Sequence, residues 1–310
     1  MKRILISLMV LLLGAVGGCI KVNLLEEPQP LTEKAIEGSG RAKVLVLDIT
    51  GIIMGGDTLS PLTDRKKPGL ISRTREALDR ARRDPDVKAV VLRISSPGGG
   101  VTASDTLYHE LKRFKQETGD VLVAHIMDVG ASGAYYAALA ADAITAQPTS
   151  VTGSIGVILY RVDATGLLEK VGVRAQEISS GAQKSMGSPL RPLSDEERKL
   201  FQGVIDSLFG RFTSLVEESR KLSPEAVRAV SDGRILTSQE ALADGLIDGI
   251  GYIEDAVALA KKKANLSKAT VVMYHRPGEY RNNLYSQSLI NLDLGEMAGP
   301  GASFLYLWWP

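Results

Sequence analysis

Apolar and polar positions along most of the chain fall into blocks that switch between two periods. Residues 44–49 are apolar but for Asp48, and 87–94 and 121–127 are mostly apolar, as strands buried on both faces are. Between the first two, Ile71, Ala77, Leu78 and Ala81 recur at helical spacing. They predict a helix over 70–83 that Asp84-Pro85 terminates. The same reading gives helices over 106–117 and 134–140 and a short strand over 143–146. Further on, 155–159 and 175–178 read as strands around a helix at 167–171. A long amphipathic helix at 195–221 opens on a capping box, Ser194 with Glu197 three residues later. Shorter helices at 225–230, 239–244 and 254–263 and a last strand at 270–275 complete the pattern. Strands alternating with helices imply an α/β fold, a mostly parallel sheet with helices packed outside. No internal repeat is visible, so one domain covers 42–275.

The two ends depart from this alternation. Lys2 and Arg3 precede residues 4–13, apolar but for Ser7, and then Gly14, Ala15, Val16, Gly17, Gly18 and Cys19. A basic start, an apolar middle and small residues before a processing point make 1–19 an export segment. Cys19 is the only cysteine, so no intrachain disulfide forms. Its position resembles that of the lipidated cysteine of bacterial lipoproteins. The alternative is an uncleaved anchor over 4–20, 17 residues long and at the lower limit for crossing a bilayer. Either way the chain is tethered at the outer surface of the cytoplasmic membrane or beyond. Residues 20–41, with Pro28 and Pro30, suit a tether. Residues 276–310 form no periodic element yet carry both tryptophans, Trp308 and Trp309, near their end. Exposed aromatics are costly in water, so this tail is expected to dock on the domain, a neighbouring subunit or the membrane interface.

Composition changes this picture little. With 310 residues the chain can bury one large core or two smaller ones, and 44% apolar and 24% charged residues are ordinary for a globular protein. A net charge of +1 gives no sign of a nucleic-acid partner.

Candidate chemistry sits at the ends of the strands. Asp128-Val129-Gly130-Ala131-Ser132-Gly133-Ala134 places one serine among small residues between a strand and a helix. Such a junction exposes a nucleophile and lets a substrate backbone approach; a plain helix N-cap explains Ser132 equally well. Ser96-Pro97-Gly98-Gly99-Gly100 follows another strand and suits inward-facing amides, an anion site or an ordinary turn. No Lys-Ser/Thr pair follows these glycines, as a P-loop would require. His109, His125 and His275 are the only histidines, and His125 falls inside a buried strand, so a histidine triad is poorly supplied. Ser180-Gly181-Ala182-Gln183-Lys184-Ser185 offers one lysine among small residues, with Glu177 and Asp195 the nearest acids in sequence. A lysine acting as base must be neutral, and lowering an ordinary pKa of about 10.4 by about three units costs about 4 kcal/mol. A solvated surface lysine is the competing reading.

Ser96-Pro97-Gly98-Gly99, Ala131-Ser132-Gly133-Ala134-Tyr135-Tyr136, Thr152-Gly153-Ser154-Ile155-Gly156-Val157 and Ser180-Gly181-Ala182-Gln183-Lys184-Ser185 occur in this order. Together they resemble the short form of the bacterial signal peptide peptidase A family, within the Clp protease/crotonase superfamily. Tyr306-Leu307-Trp308 is similar to that family's carboxy-terminal end. The resemblance implies repeated β-β-α units and a Ser/Lys peptidase without metal or nucleotide. Ser132 would be the nucleophile, Lys184 the general base, and Ser154 its orienting partner. The amides of Gly99 and Gly133 would receive the oxyanion.

The resemblance also implies peptide substrates, remnant signal peptides left in the membrane, and a ring- or dome-shaped, octamer-like homo-oligomer. In that assembly Lys184 faces Ser132 of its own or a neighbouring subunit. The catalytic domain is expected on the extracytoplasmic side of a bacterial cell membrane. Two alternatives are a crotonase-type acyl-CoA enzyme and a non-catalytic peptide-binding membrane scaffold.

Overall fold

The central strands are mostly apolar because both faces of their sheet are covered. In β2 (Lys43–Thr50), β5 (Val87–Ser96) and β7 (Val121–Ala131) successive side chains point to opposite faces. Leu45, Val90, Leu92, Ile94, Leu122 and Ile126 pack beneath α1 (Leu70–Arg83), α2 (Val101–Thr118) and α3 (Gly133–Ala138). Val44, Val46, Ala89, Val91 and Val123 pack against Ile253, Ala256, Val257 and Ala260 of α8 (Ile253–Lys263). The result is a helix–sheet–helix sandwich. It was described from a computed structural model that covers residues 30–59, 66–277, 279–286 and 303–308. The apolar amino-terminal segment and Cys19 lie outside the described residues. Among the described residues no helix is long and apolar enough to cross a membrane.

Between these elements the chain forms β1 (Thr32–Gly38), a hairpin of β3 (Thr58–Leu59) and β4 (Lys66–Lys67), and β6 (Gly98–Gly100). After α3 come β8 (Ala143–Ala146), β9 (Val151–Gly153), β10 (Ile158–Tyr160) and α4 (Thr165–Lys170). Then follow α5 (Asp195–Arg220), α6 (Pro224–Val230), β11 (Ile235–Thr237), α7 (Ser238–Ala243) and β12 (Gly249–Ile250). Beyond α8 lie β13 (Thr270–His275) and β14 (Ser303–Leu307). The main sheet runs β1-β13-β2-β5-β7-β8-β12, parallel from β13 to β12, with β1 antiparallel at one edge. The upper part of β7 leaves β8 and pairs with β9, which pairs in turn with β11. A second sheet, β10-β14-β6, stands over the carboxyl ends of the central strands, where open α/β sheets place their sites.

The α/β class and the mostly parallel sheet stand as the patterning implied. Helix 70–83 and strand 143–146 have the expected bounds, and the Ser194–Glu197 capping box is formed. Four segments differ. β1 lies inside the stretch read as a tether, because its half-buried side chains lie along the open edge of β13. The strand expected at 155–159 is displaced to 158–160 and follows β9. Residues 175–178 form no strand; all four are exposed, and a segment that buries nothing gains little from pairing. Helix α2 begins five residues early, directly after the glycines, with Gly100 as its cap residue. The tail docks on the domain: Arg93, buried in β5, donates to Asp48 Oδ1 (2.6 Å) and to the Ser286 carbonyl (2.7 Å), and β14 enters the second sheet.

Candidate active site

Ser132 is the hinge between β7 and α3, and its backbone is strained. Its φ of 53° and ψ of −116° describe a turn corner that favours glycine. Its main chain is nonetheless fully engaged. The amide donates to the Gly153 carbonyl (2.8 Å), and the carbonyl accepts from the Tyr136 amide (2.8 Å). The side chain caps nothing, so the N-cap explanation of Ser132 fails, and the hydroxyl is left free in a residue only 1% exposed. A torsion of this kind is kept where it aims a side chain.

The neighbouring glycines are required by close approach. A methyl group on Gly133 would lie 2.2 Å from Ser104 Oγ, which itself donates to the Gly100 carbonyl (2.9 Å). On Gly98, at φ +98°, it would lie 2.1 Å from the Tyr306 carbonyl oxygen and 2.7 Å from the Gly133 amide nitrogen. Gly98 and Gly133 therefore enclose one small space beside Ser132, and a peptide carbonyl stands in it. Residue 99 is held on both sides: Ile53 donates to Gly98 and accepts from Gly100, while Gly99 itself registers with Tyr306. Trp308 donates to the Pro97 carbonyl (2.9 Å). Bonded pairs alternate in an antiparallel ladder, so Gly99 and Tyr306 form the next one and the Gly99 amide faces the Tyr306 carbonyl. The glycine run is thus a strand, β6, rather than an ordinary strand-to-helix turn.

Gly98→Ala is expected to lower peptide turnover by about 100-fold or more, since its methyl would fill the space between the amides. Gly119→Ala, at φ +72° with nothing within 4 Å, is the control. It should cost about 1–2 kcal/mol of stability in thermal unfolding and leave turnover unchanged.

Ser154 lies one residue beyond the Gly153 carbonyl that holds Ser132. It is buried, has a φ of 50°, and its amide donates to the Arg234 carbonyl (2.7 Å). Ser132, Gly99, Gly133 and Ser154 are thereby gathered at one end of the sheet. Lys184 is not joined to them within the single chain. It is exposed, in a turn where its amide donates to the Gly181 carbonyl (3.0 Å). That turn is braced from behind. Arg161 donates to the Ser188 carbonyl (2.6 Å) and the Gly187 carbonyl (3.3 Å), and Arg191 donates to Ser185 Oγ (3.2 Å). Arg191 also pairs with Glu177 (3.5 Å) and with Glu197. Bonds from Ser185, then Ser188 and Arg191, hold the Glu177 carboxyl below the usual range. The acid nearest Lys184 in sequence is therefore committed to other partners.

Arg191, and then the Ser194 amide, hold the Glu197 carboxyl down at about 2, against an ordinary 4.5. A depressed folded value adds stability above the unfolded pKa, and that stability is lost as pH falls from about 4.5 towards 2. The melting temperature should therefore fall more steeply over this range in the wild type than in Glu197→Gln. Parallel slopes would separate the pair from acid unfolding.

His125 takes no part: it is fully buried, its Nδ1 lies 2.9 Å from Thr145 Oγ1, and burial pushes it down to about 4. Sequence reading missed the wall of the cleft. Tyr306 stacks on Tyr136 (5.2 Å between ring centres) and packs on Phe212 (4.9 Å), and its hydroxyl donates to the Leu208 carbonyl (2.7 Å). The signal available was the spacing of Phe201, Leu208 and Phe212, which puts all three on one face of α5.

Comparison with known proteins gives the family. Peptidase family S49 matches residues 114–267. A protein of Enterococcus faecium named as a signal peptide peptidase SppA is 35% identical, over 79% of this chain and 70% of its own. "Serine protease SPPA, chloroplastic" of Arabidopsis thaliana is 35% identical over 79% of this chain, and "Protease 4" of Salmonella typhi 33% identical over 74%. The match spans 38% and 35% of those two longer relatives. Fold, site and relatives define a serine peptidase, in place of the acyl-CoA enzyme and the non-catalytic scaffold. The chain belongs to peptidase family S49.

Proposed function

We propose that this peptidase is a membrane-tethered endopeptidase that uses a Ser132/Lys184 dyad to hydrolyse signal peptides already cut from their preproteins. The observation that carries the reading is Ser132: buried, strained, its hydroxyl unclaimed, beside amides facing a peptide carbonyl. Lys184 in neutral form takes the Ser132 proton as Oγ attacks the scissile carbonyl. The oxyanion rests on the amides of Gly99 and Gly133, and losing one such donor costs about 3–4 kcal/mol of barrier. Lys184 then protonates the leaving amine, and water resolves the acyl-enzyme. Ser154 orients the lysine.

The exposed turn that carries Lys184 favours a site shared between subunits of a homo-oligomeric ring. In the segment leading to it Val171, Val173 and Ile178 are exposed apolar side chains, suited to burial against a neighbour. Tethering through the amino terminus, on the extracytoplasmic side of a bacterial membrane, confines enzyme and apolar peptide to one surface and raises their effective concentration. The test is a serine-reactive fluorophosphonate followed by peptide mapping, with synthetic signal peptides as substrates. Labelling at Ser132 and cleavage within the apolar stretch are expected. An unlabelled Ser132 in folded, assembled protein refutes the assignment.

A further inference from the structure

A small cavity lies between β2, β13 and α1, with Arg276, Glu279 and Arg281 of the tail along one side. It holds about 70 Å³, room for a few waters or one small organic anion. None of Ser132, Gly99, Gly133, Ser154 and Lys184 lines it. Four arginines and three carboxylates meet around it. Arg93 donates to Asp48 Oδ1 (2.6 Å) and Arg281 to Asp48 Oδ2, Arg276 pairs with Glu76 (2.7 Å), and Arg281 also lies 3.7 Å from Glu279. Arg73 is the fourth arginine. Among the described residues it makes no ion pair, and its Nε is buried without a hydrogen-bond partner.

The group therefore carries one positive charge more than its carboxylates neutralise. Burial pushes the Arg73 guanidinium below the usual arginine value, and Arg276 and Arg281 push the same way, against Glu279 and Asp48. The next residue of α1 adds a second donor. Thr74 is 1% exposed and its hydroxyl has no partner, although helical threonines commonly bond a carbonyl one turn back. Two buried donors left unsatisfied on one wall cost stability unless something accepts from them. The lining otherwise includes Leu31, Leu70, Ala77 and Met273. A bare phosphate or sulfate would press its oxygens against these carbons. A carboxylate presents two acceptors to the guanidinium fork and an apolar stem to the rest.

We propose that this cavity binds a short-chain carboxylate, its head on Arg73 and Thr74 and its stem against Leu70, Ala77 and Met273. One such anion balances the surplus charge and satisfies both donors. The site is separate from the peptidase chemistry, so the inference does not depend on which residue is the nucleophile.

The experiment is thermal unfolding and isothermal titration of the full chain with sodium acetate, propionate and butyrate. Sodium chloride, sulfate and phosphate at equal ionic strength are the comparison. The carboxylates are expected to raise the melting temperature saturably, with affinity climbing about three- to fourfold for each methylene buried. Arg73→Met should bind butyrate about tenfold or more weakly, since the charge-assisted bonds are lost. Without ligand it should melt at or above the wild-type temperature, because the change removes an unpaired, partly buried cation. Arg83→Gln removes an exposed charge from the last turn of the same helix and should keep the full response. Equal shifts from all the salts, a phosphate response without a carboxylate response, or no response to any of them overturns the inference. So does an Arg73→Met protein that binds butyrate as the wild type does. One that melts several degrees lower without ligand also overturns it, by giving Arg73 a structural role.

Discussion

Ser132→Ala is expected to lower kcat/KM on a peptide substrate by about 10⁴-fold or more while the melting temperature stays within a few degrees of the wild type. Losses of this size follow removal of a nucleophile, because residual catalysis then rests on binding and the amides alone. Stability is spared for a structural reason. The Ser132 hydroxyl caps no helix, and both main-chain bonds of the residue, to Gly153 and Tyr136, survive the change. Alanine also keeps the β-carbon, so the torsional cost of φ 53° is the same in both proteins. Turnover and thermal unfolding measured on one preparation test the two halves together. Near-wild-type turnover would remove Ser132 from the chemistry, and a large fall in melting temperature would give it a structural role instead.

The second large effect concerns assembly. Ser132→Ala and Lys184→Ala should each be inactive as pure proteins, but dissociated and reassembled as an equal mixture they should recover activity. In a head-to-tail ring each site combines the serine of one subunit with the lysine of the next, and random mixing restores about a quarter of the sites. The physical basis is the position of Lys184 on an exposed turn braced by Arg161 and Arg191, with no bond to Ser132 inside the chain. No recovery from two inactive variants would mean that the lysine serves its own subunit. An active Lys184→Ala would end the dyad.

Legibility in the sequence followed how local each signal was. Strands 44–49 and 87–94 were readable because a sheet covered on both faces needs unbroken apolar runs, and the Ser194–Glu197 box marks its own helix start. The serine junction and the glycine run were readable because tight approach admits only small residues. The register that brings β14 against β6 was not readable. Some two hundred residues separate them, and the pairing is stated by neither segment alone. Residues 175–178 show the converse failure: with Gln176 and Glu177 between Ala175 and Ile178 the segment is too polar to be buried, and it stays exposed outside any sheet. Thr32–Gly38 reads as polar because an outermost strand buries little, so its partner, not its composition, makes it a strand.

The torsion at Ser132 also bears on durability. A glycine would sit at that corner without tension, relieving about 1–2 kcal/mol of left-handed strain, less what the unfolded chain gains in freedom. With Ser132 as the proposed nucleophile, this corner holds the attacking oxygen in place like a bent spring. Lineages released from the need to cut peptides would drift towards glycine there and towards hardier, silent proteins.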